Sequence, residues 1–486
     1  MGARLFITGS CSSTLGNWEQ QLGNAAILIG LLETIHEHLP DALVTTKYQL
    51  SKEFCQTYGI RSLLVEPETG AKVRRTLVTL YNLFSSAVWR FCREVFRIDI
   101  TFLHATRLLD ACYKSDLIID LSGDAYGDNI PFRNFAKHSL DLIAARLLRK
   151  PIVSLANSPG PFSGKIKKFI AQVLFNNVSL VTTREPVSAG LLRNLAIKAP
   201  IIITACPAFL LEPAQDRRVK EIMRPEGIDE NVRPIIGLTL AGYNLYSKPT
   251  WDVPETLEDV ELYVPTVRFL LDELDAQLLL IPHVYRTNPW TGQPIQGPDY
   301  LILKTLSHMV SRYSTTKQVK LIEGTYSPAE VKGLIGKLDL HISGRLHAGV
   351  AALSQYVPTV LLAYGHKHFG FAKMLNQERY VWQPSMGSGG LLAIVRQIWE
   401  DRESVVAELH KWVPLVKALA ELNVRILKDM EKLDEKSRIR LPKAVVQRWK
   451  SLAWEDRRFA NRAHSSWRID RSAGCDMCGD NKVKRC

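Results

Sequence analysis

Short apolar segments that end in glycine, proline or polar turns recur along the chain, and helical patterns separate several of them. In the first part of the sequence, these segments predict strands at 4–9, 42–46, 116–121, 151–156, 180–183 and 201–205. Helical spacing of apolar positions lies between them, for example at 24–38. Apolar strands that alternate with helices indicate βα units, and therefore a mostly parallel sheet.

The same pattern restarts after a polar link at 211–233 that contains two prolines. Ser327, Pro328 and Glu330 match a capping box with proline at the first helical position, which predicts a helix start. Further strands are predicted at 234–240, 277–281, 319–322, 338–342 and 359–364. We therefore predict an α/β protein with two doubly wound, Rossmann-like domains that face each other across a cleft.

Four segments follow from these patterns. The N-terminal domain is placed at 1–215 and the C-terminal domain at 216–390. Residues 391–435 have helical spacing and are predicted to be a helical extension. Residues 436–486 are basic and weakly periodic, which is typical of a disordered tail.

One helical pattern allows two interpretations. Apolar residues between 74 and 96 recur at helical spacing, with arginine residues around them. We interpret this segment as a helix on the surface of the N-terminal domain. Its flanking basic residues would also suit a helix that lies on a membrane face.

Composition and charge narrow the class of protein. Hydrophobic residues make up 46% and charged residues 23% of the 486 residues, the balance of a globular protein. The sequence contains neither a spanning apolar run nor a signal-peptide pattern, so we expect a cytoplasmic protein. The formal net charge is +13, and residues 436–486 alone carry 14 Lys and Arg against 5 Asp and Glu. This basic tail suits peripheral contact with the anionic inner face of a membrane, whereas no motif supports nucleic-acid binding.

The eight cysteines are widely spaced, which favours free thiols over a disulfide framework. Cys475, Cys478 and Cys486 lie in the tail without an obvious fourth ligand. A structural zinc site needs four ligands, so His464 or a second chain would have to contribute. We therefore predict no metal site.

The strongest candidate chemistry lies where the strand at 338–342 leads into a helix. Gly344 is predicted to form the turn, with Arg345 and His347 in the first helical turn. Helix N-termini at strand ends are where open α/β sheets bind anions. The next strand ends at a second cationic group, residues 366–368. Two neighbouring strand ends would thus form a site for a small, multiply anionic ligand.

Four other candidates also follow predicted strands, and each has an ordinary structural alternative. Arg184 suits an ion pair with its neighbour in sequence, and Asp124 suits a turn. Asn157 begins another polar turn, and a single His283 at a strand end is more often structural than catalytic. Because no dinucleotide fingerprint, P-loop or zinc-protease motif is present, the sequence predicts neither a nucleotide cofactor nor a metal.

Several of these motifs resemble the signature of the polysaccharide pyruvyl transferase family. The most specific block is 338–370, which contains the runs 343–348 and 364–367. The resemblance covers roughly residues 1–390, with supporting matches at 157–161, 183–185 and 207–210. One departure is Cys206, where the family often has an acidic residue.

The resemblance implies a fold similar to that of the two-domain, type B glycosyltransferases. It also implies an activity, which is transfer of the pyruvyl group of phosphoenolpyruvate onto two hydroxyls of a sugar as a ketal, with release of phosphate. Phosphoenolpyruvate is then a co-substrate, and no cofactor is expected. The second partner would be a sugar, a glycan or a lipid-linked glycan.

A set of donor-site residues also follows from the resemblance. The expected members are Arg184, Gly344, Arg345, His347, His366 and Lys367. Among them, we predict catalytic roles for Arg345, His347 and Lys367. Arg184 and Arg345 would grip anionic oxygens, Lys367 would hold phosphate, and His347 would move the proton.

The acceptor is expected to approach from the N-terminal domain. Asp124 and Asn157 would orient or deprotonate its hydroxyls, with His283 on the opposite lip. Two other functions are compatible with the same scaffold. One is a glycosyltransferase that depends on a nucleotide sugar, and the other is a non-catalytic protein that binds an anion or a glycan.

Overall fold

The computed structural model describes residues 2–9, 18–64, 72–128, 130–245, 258–288, 290–311 and 318–453. Within these residues, seven strands form a sheet in the first half of the chain. They are β1 (Arg4–Thr8), β2 (Leu43–Gln49), β3 (Ile60–Leu64), β4 (Leu117–Asp120), β5 (Ile152–Asn157), β6 (Leu180–Thr183) and β7 (Ile201–Ile203). All neighbours are parallel in the order β3-β2-β1-β4-β5-β6-β7, so the sheet is doubly wound from β1.

Helices cover both faces of this sheet. They are α1 (Leu22–His38), α2 (Lys52–Thr57), α3 (Lys72–Phe91), α4 (Arg107–Lys114), α5 (Phe132–Leu147), α6 (Lys165–Asn176) and α7 (Pro186–Asn194). Neighbouring strand residues belong to different apolar clusters, with Phe6 in one and Ile7 in the other. A strand buried on both faces must be apolar throughout, which explains the continuous runs in the sequence.

The second half repeats the design with a six-stranded parallel sheet among the described residues. Its order is β12-β9-β8-β13-β14-β15, and a short antiparallel pair, β10 and β11, lies beside it. The strands are β8 (Ile235–Thr239), β9 (Gln277–Leu280), β10 (Tyr285–Thr287), β11 (Pro294–Gln296), β12 (Val319–Leu321), β13 (Leu340–Ser343), β14 (Thr359–Leu362) and β15 (Val381–Trp382). The helices are α8 (Asp216–Met223), α9 (Glu258–Glu261), α10 (Val264–Arg268), α11 (Pro298–Val310), α12 (Pro328–Ile335), α13 (Leu346–Leu353) and α14 (His366–Met374).

The predicted α/β class with two Rossmann-like halves is confirmed. The domain boundaries at 215 and 390 stay predictions. One local detail differs from the prediction, at the turn between β13 and α13. Ser343 continues β13 because it pairs with Leu361 and Thr239, so Arg345 is the N-cap of α13 and lies outside its first turn.

The helical extension connects the two halves of the molecule. It consists of α15 (Gly387–Glu400) and α16 (Arg402–Glu431). Whereas α15 packs on the second sheet beside β14 and β15, α16 returns to the first half and packs on α1. Asn423 of α16 is fully buried there, where its amide bonds Thr182, Thr204 and Ala205. The predicted helices are therefore present, but they pack on both halves of the protein and do not form a separate extension.

The first part of the basic tail is folded, which corrects the expectation of disorder for residues 436–453. It forms α17 (Glu435–Ile439) and α18 (Lys443–Leu452). The side chain of Trp449 is fully buried, and its Nε1 donates to Asp429 Oδ2 at 2.9 Å. This apolar anchor holds α18 on α16. His464, Cys475, Cys478 and Cys486 lie outside the described residues.

Candidate active site

Loops at the carboxyl ends of strands from both sheets approach each other. In the first half they follow β4, β5 and β6, and in the second half they follow β13 and β14. Carboxyl ends of parallel strands lie at one edge of a sheet, which is where open α/β sheets bind ligands. The two halves thus form a gap between them, and several predicted site residues face each other across it.

Arg184 follows β6 directly and reaches across this gap to His347. Its Nε donates to Ser158 Oγ at 2.8 Å, and its Nη1 lies 3.4 Å from His347 Nε2. In the turn after β4, Gly123 adopts a φ of 64°, in the left-handed region that favours glycine. A Cβ at Gly123 would stand 3.9 Å from both terminal nitrogens of Arg184. The predicted ion pair with Glu185 is not the contact that positions Arg184.

His347 lies on α13 and is held by residues of the first half. Its Nε2 is 3.8 Å from Cys206 Sγ, and its ring packs so closely on Gly23 that no side chain would fit there. Burial lowers the pKa of His347 well below its usual value, and Arg184 and Lys367 lower it further. The imidazole is therefore neutral near pH 7, and its Nε2 can accept the Arg184 hydrogen bond.

Lys367 forms an ion pair with Asp124 across the gap. Its Nζ also lies 4.9 Å from the centroid of the Tyr364 ring. Burial favours a lower pKa for Lys367, but Asp124 outweighs it and raises the pKa. Burial alone would raise the pKa of Asp124, but Lys367 and Arg184 hold it below the usual range. Both groups are therefore charged, and Asp124 belongs to the same cluster as the expected donor residues.

The two histidines beside Lys367 are not part of a solvated cationic cluster, which corrects the sequence-based interpretation. His366 Nε2 lies 3.0 Å from Ser188 Oγ, and burial and Lys367 lower the pKa of His366 to about 4. His368 is fully buried against Tyr364, and burial lowers its pKa to about 3. Lys367 is thus the charged member of the group, and His366 contacts the first half of the protein.

Arg345 forms an ion pair with Asp299, a carboxylate that the sequence did not identify as a site residue. Its Nε and Nη2 donate to the two oxygens of Asp299 at 3.0 and 2.5 Å. Asp299 is fully buried in the first turn of α11. Burial would lower the pKa of Arg345, but Asp299 holds it above its usual value. The structure therefore gives Arg345 an ion pair with Asp299, and its predicted grip on a donor anion stays a prediction.

Two further predicted site residues, Gly344 and Asn157, form hydrogen bonds within their own half of the protein. The backbone N–H of Gly344 donates to Thr239 O at 2.7 Å, so this donor already has a partner at the edge of the second sheet. Asn157 is fully buried, donates to the Asp120 carbonyl, and accepts from Gly123 N–H. These contacts hold the loops that contain Gly344 and Asn157, and the predicted donor and acceptor roles of the two residues stay predictions.

His283 is buried behind His347 and does not lie on an open lip. Both lie among the lining residues of a small cavity that also includes Lys332. Burial lowers the pKa of His283 to about 3, and Arg345 adds to the effect. Its ring nitrogens have no hydrogen-bond partner among the described residues.

The described residues contain neither a cluster typical of a metal site nor a helix that could span a membrane. No group of three or more His, Cys, Asp or Glu side chains in this part of the chain has the arrangement of a metal site. No helix in the same residues is long and apolar enough to cross a membrane. The described thiols Cys55, Cys92, Cys112 and Cys206 are free, as predicted.

Comparison with known proteins gives a family for the greater part of the chain. A family model described as polysaccharide pyruvyl transferase matches residues 22–366. Among curated proteins, the amylovoran biosynthesis protein AmsJ of Erwinia amylovora is 21% identical over 403 residues. That match covers 80% of this chain and 92% of AmsJ.

Solved structures share the fold at low sequence identity. HepE from Anabaena, in complex with UDP, matches with a TM-score of 0.53 and 14% identity over 89% of this chain and all of that one. The UDP-GlcNAc 2-epimerase from Neisseria meningitidis, bound to UDP-GlcNAc, gives a TM-score of 0.52 and 12% identity over 88% of this chain and all of the epimerase. These similarities establish the two-domain architecture of type B glycosyltransferases and UDP-GlcNAc epimerases.

Proposed function

Because the chain belongs to the polysaccharide pyruvyl transferase family, we propose that it transfers the pyruvyl group of phosphoenolpyruvate to a sugar. The acceptor would be a sugar unit of a polysaccharide or glycolipid precursor, and the product would be a cyclic ketal. The similarity to AmsJ, an amylovoran biosynthesis protein by name, supports an acceptor of this class.

One observation carries the proposal, which is that two cationic side chains, Arg184 and Lys367, lie near His347 and come from different halves of the protein. Arg184 comes from the first half, Lys367 comes from the second, and both lower the pKa of His347. Phosphoenolpyruvate carries a carboxylate and a phosphate on three carbons. Two positive groups across a narrow gap suit such a ligand, with an arginine fork for one anion and a lysine point charge for the other.

When the donor binds, its phosphate would replace Asp124 as the partner of Lys367. Lys367 is paired with Asp124, and phosphate would compete with that carboxylate for the ammonium group. Release from Lys367 would leave Asp124 ionised, since its pKa lies below the usual range. A free carboxylate at this position can accept a hydrogen bond from an acceptor hydroxyl. Asp124 would thus serve the acceptor, as the sequence suggested, while lying among the donor residues.

The proposed reaction balances with two acceptor hydroxyls and no other reactant. A proton adds to the methylene carbon of phosphoenolpyruvate, and the first hydroxyl oxygen bonds to the neighbouring carbon. The second hydroxyl oxygen then displaces phosphate from that carbon and closes the ketal ring. Of the two hydroxyl protons, one completes the new methyl group and the other leaves with hydrogen phosphate.

His347 would carry the proton between these positions. Because His347 is neutral, it can accept a proton. The negative charge of a bound phosphate would raise the pKa of His347 from its lowered value. A histidine whose protonation responds to the substrate in this way can act as a base in one step and as an acid in the next. Arg345 would support the site from behind through its pair with Asp299.

Loss of His347 is the direct test of this function. The protein is incubated with phosphoenolpyruvate and an extract of bacterial glycans and lipid-linked glycans. Phosphate release is measured together with the mass gain of a ketal-linked pyruvyl group. The His347→Ala protein should lose about 10²–10⁴-fold in rate, as expected when a general acid–base is removed. His308→Ala, at an exposed position on α11, is the matched control and should keep the rate.

Two outcomes would overturn the proposal. One is a folded His347→Ala protein that releases phosphate from phosphoenolpyruvate at the wild-type rate. The other is a wild-type protein that is stabilised against heat by UDP-sugars and not by phosphoenolpyruvate. The second result would favour the glycosyltransferase alternative, for which the UDP complexes of the structural neighbours are the only support.

A further inference from the structure

Helix α3 presents its apolar side chains to the outside of the protein. Leu77, Leu80, Phe84 and Phe91 all point outward, and Val95 continues the row in the helical turn Cys92–Phe96. We call these five residues the outer face of α3. Phe84 is 67% and Leu77 is 60% exposed. Their spacing of three, four or seven residues places them on one side of the helix.

The buried side of α3 carries mostly small polar residues. These are Thr79, Asn82, Ser85 and Ser86, with Trp89 as the large exception. Asn82 accepts a hydrogen bond from Thr106, and the small side chains allow α3 to pack against α5. An ordinary surface helix turns its leucine and phenylalanine residues inward, because burying each one contributes about 1.5–3 kcal/mol. The arrangement in α3 is the reverse.

Further apolar residues extend this surface. Phe96, Ile98 and Phe102 follow α3 in the chain and are exposed, with Phe102 at 77%. In the same helical layer, α5 packs on α3 and α6 packs on α5. The first turns of α6 expose Ile166 and Phe169. Apolar exposure on this scale marks an interaction surface and is not the scattered exposure of an ordinary monomer.

Basic residues surround the outer face. Arg90 and Arg93 are neutralised by Glu94 and Asp99, and Arg97 and Arg107 are exposed in addition. On α6, Lys165 and Lys168 lie beside the exposed apolar pair in sequence and are themselves exposed. Apolar side chains next to arginine and lysine are the pattern of a helix in the interface of an anionic bilayer. The apolar groups enter the acyl boundary while the cations meet lipid headgroups.

We propose that the outer face of α3 docks on the surface of a lipid bilayer that contains anionic headgroups. The inference goes beyond the proposed function and does not depend on it. It places the contact on α3, for which the sequence left a membrane-facing interpretation open, and not on the basic tail. Because α3 follows the carboxyl end of β3, its first turns lie on the side of the sheet where the gap opens. A docked bilayer would therefore lie close to the entrance for a lipid-linked acceptor.

Vesicle binding by the full chain tests the proposal. Wild-type protein is mixed with phosphatidylcholine vesicles that contain about one-third phosphatidylglycerol, and the bound fraction is measured by sedimentation. The Leu80→Asp/Phe84→Asp double variant should bind at least about tenfold more weakly, because two anchors are lost and two negative charges are added. The matched control is Trp290→Asp/Leu301→Asp, which makes the same change at exposed positions of the second half. It should bind like the wild type.

A second variant reports contact without disrupting it. The wild type has ten tryptophans, so the emission of the added indole is taken as the difference between Phe84→Trp and the wild type. This difference emission should shift to shorter wavelength when anionic vesicles are added, because the indole enters a less polar environment. An emission spectrum that does not change while the protein sediments with vesicles would overturn the proposal. Circular dichroism of each variant verifies that the fold is retained.

Two rival contacts are separated by further measurements. If Lys482→Gln/Lys484→Gln/Arg485→Gln abolishes vesicle binding while the double variant of α3 retains it, the tail is the membrane contact and the proposal is wrong. If light scattering shows a dimer that the α3 variant converts to a monomer, and no protein binds vesicles, the outer face covers a second copy and the proposal is equally wrong. A monomer that binds through α3 alone supports it.

Discussion

At the scale of single residues, two cationic side chains at the gap are neutralised by ion pairs with carboxylates. Asp124 pairs with Lys367, and Asp299 pairs with Arg345. Arg184 instead contacts Ser158 and the neutral His347, so its charge is available to attract an anion.

The sequence located these residues but not their partners. Arg184, Arg345 and Lys367 could be predicted because each comes within a few residues of a strand end, and parallel sheets bring those ends to one edge. Asp299 was missed because it is 46 residues from Arg345 in sequence and starts a helix after Pro298. An acidic residue in a first turn is so common that it gave no indication of a buried ion pair.

Removing the carboxylate behind Arg345 should destabilise the whole protein. Asp299→Asn leaves a buried guanidinium without a counter-charge, so we expect the free energy of unfolding to fall by about 3–5 kcal/mol. Asp110→Asn breaks the exposed pair with Lys114 and should change it by less than about 1 kcal/mol. Urea denaturation of both variants measures the difference. Equal losses for the two would show that Arg345 does not depend on Asp299.

Buried histidines predict the pH dependence of stability. Burial lowers the pKa to about 3 for His283, His341 and His368 and to about 4 for His366, and the pKa of His347 is also well below its usual value. The unfolded chain titrates near 6.5, so below that pH it binds more protons than the folded protein. Stability should therefore be complete above about pH 7 and should fall as the pH drops through 6.

Thermal unfolding between neutral and mildly acidic pH tests this dependence. Each histidine should remove about 1 kcal/mol per pH unit once the pH is well below 6.5. His341 is suited to a control because it lies at the start of β13, within the sheet. His341→Gln should reduce the slope of melting temperature against pH. A melting temperature that rises on acidification would contradict the burial of these groups.

At the scale of helices and strands, the sequence predicted which segments form helices. It did not predict how those helices pack against the rest of the protein. Ser327 Oγ accepts from Glu330 N–H, and Glu330 accepts from Ser327 N–H in return, so the predicted capping box is present. The spacing of apolar residues likewise identified α3 and α16 as helices. It did not show that α3 turns its apolar side outward, or that α16 crosses to the first half. Both depend on what each helix packs against, which is a tertiary property.

The return of α16 to the first half should depend on Asn423. Its amide accepts from the hydroxyls of Thr182 and Thr204 and donates to the carbonyl of Ala205. Asn423→Ala removes these three buried hydrogen bonds, although Thr204 keeps its bond to Thr183 O and Thr182 keeps the one from Ala156 N–H. We expect a loss of about 2–4 kcal/mol in unfolding free energy. Chemical denaturation measures it. Asn134→Ala, at an exposed position of α5, should stay within about 0.5 kcal/mol of the wild type.

At the scale of the whole molecule, contacts that join the halves come from residues far apart in sequence. Lys367 and Asp124 are separated by 243 residues, Arg184 and His347 by 163, and Ser188 and His366 by 178. The sequence predicted two facing halves because the βα pattern restarts after residue 233. It contained no information on how closely the halves approach, because local patterns do not specify the packing of one sheet edge against another.

The central claim is that cations from both halves hold one phosphorylated three-carbon acid. Calorimetric titration with phosphoenolpyruvate tests it on three proteins, with Arg184→Gln from the first half and Lys367→Gln from the second beside the wild type. Each substitution should weaken binding at least about tenfold, because each removes a charged hydrogen-bond donor. Lys198→Gln, at an exposed position of the first half, should bind like the wild type. Wild-type affinity in either Arg184→Gln or Lys367→Gln would contradict a site that both halves share.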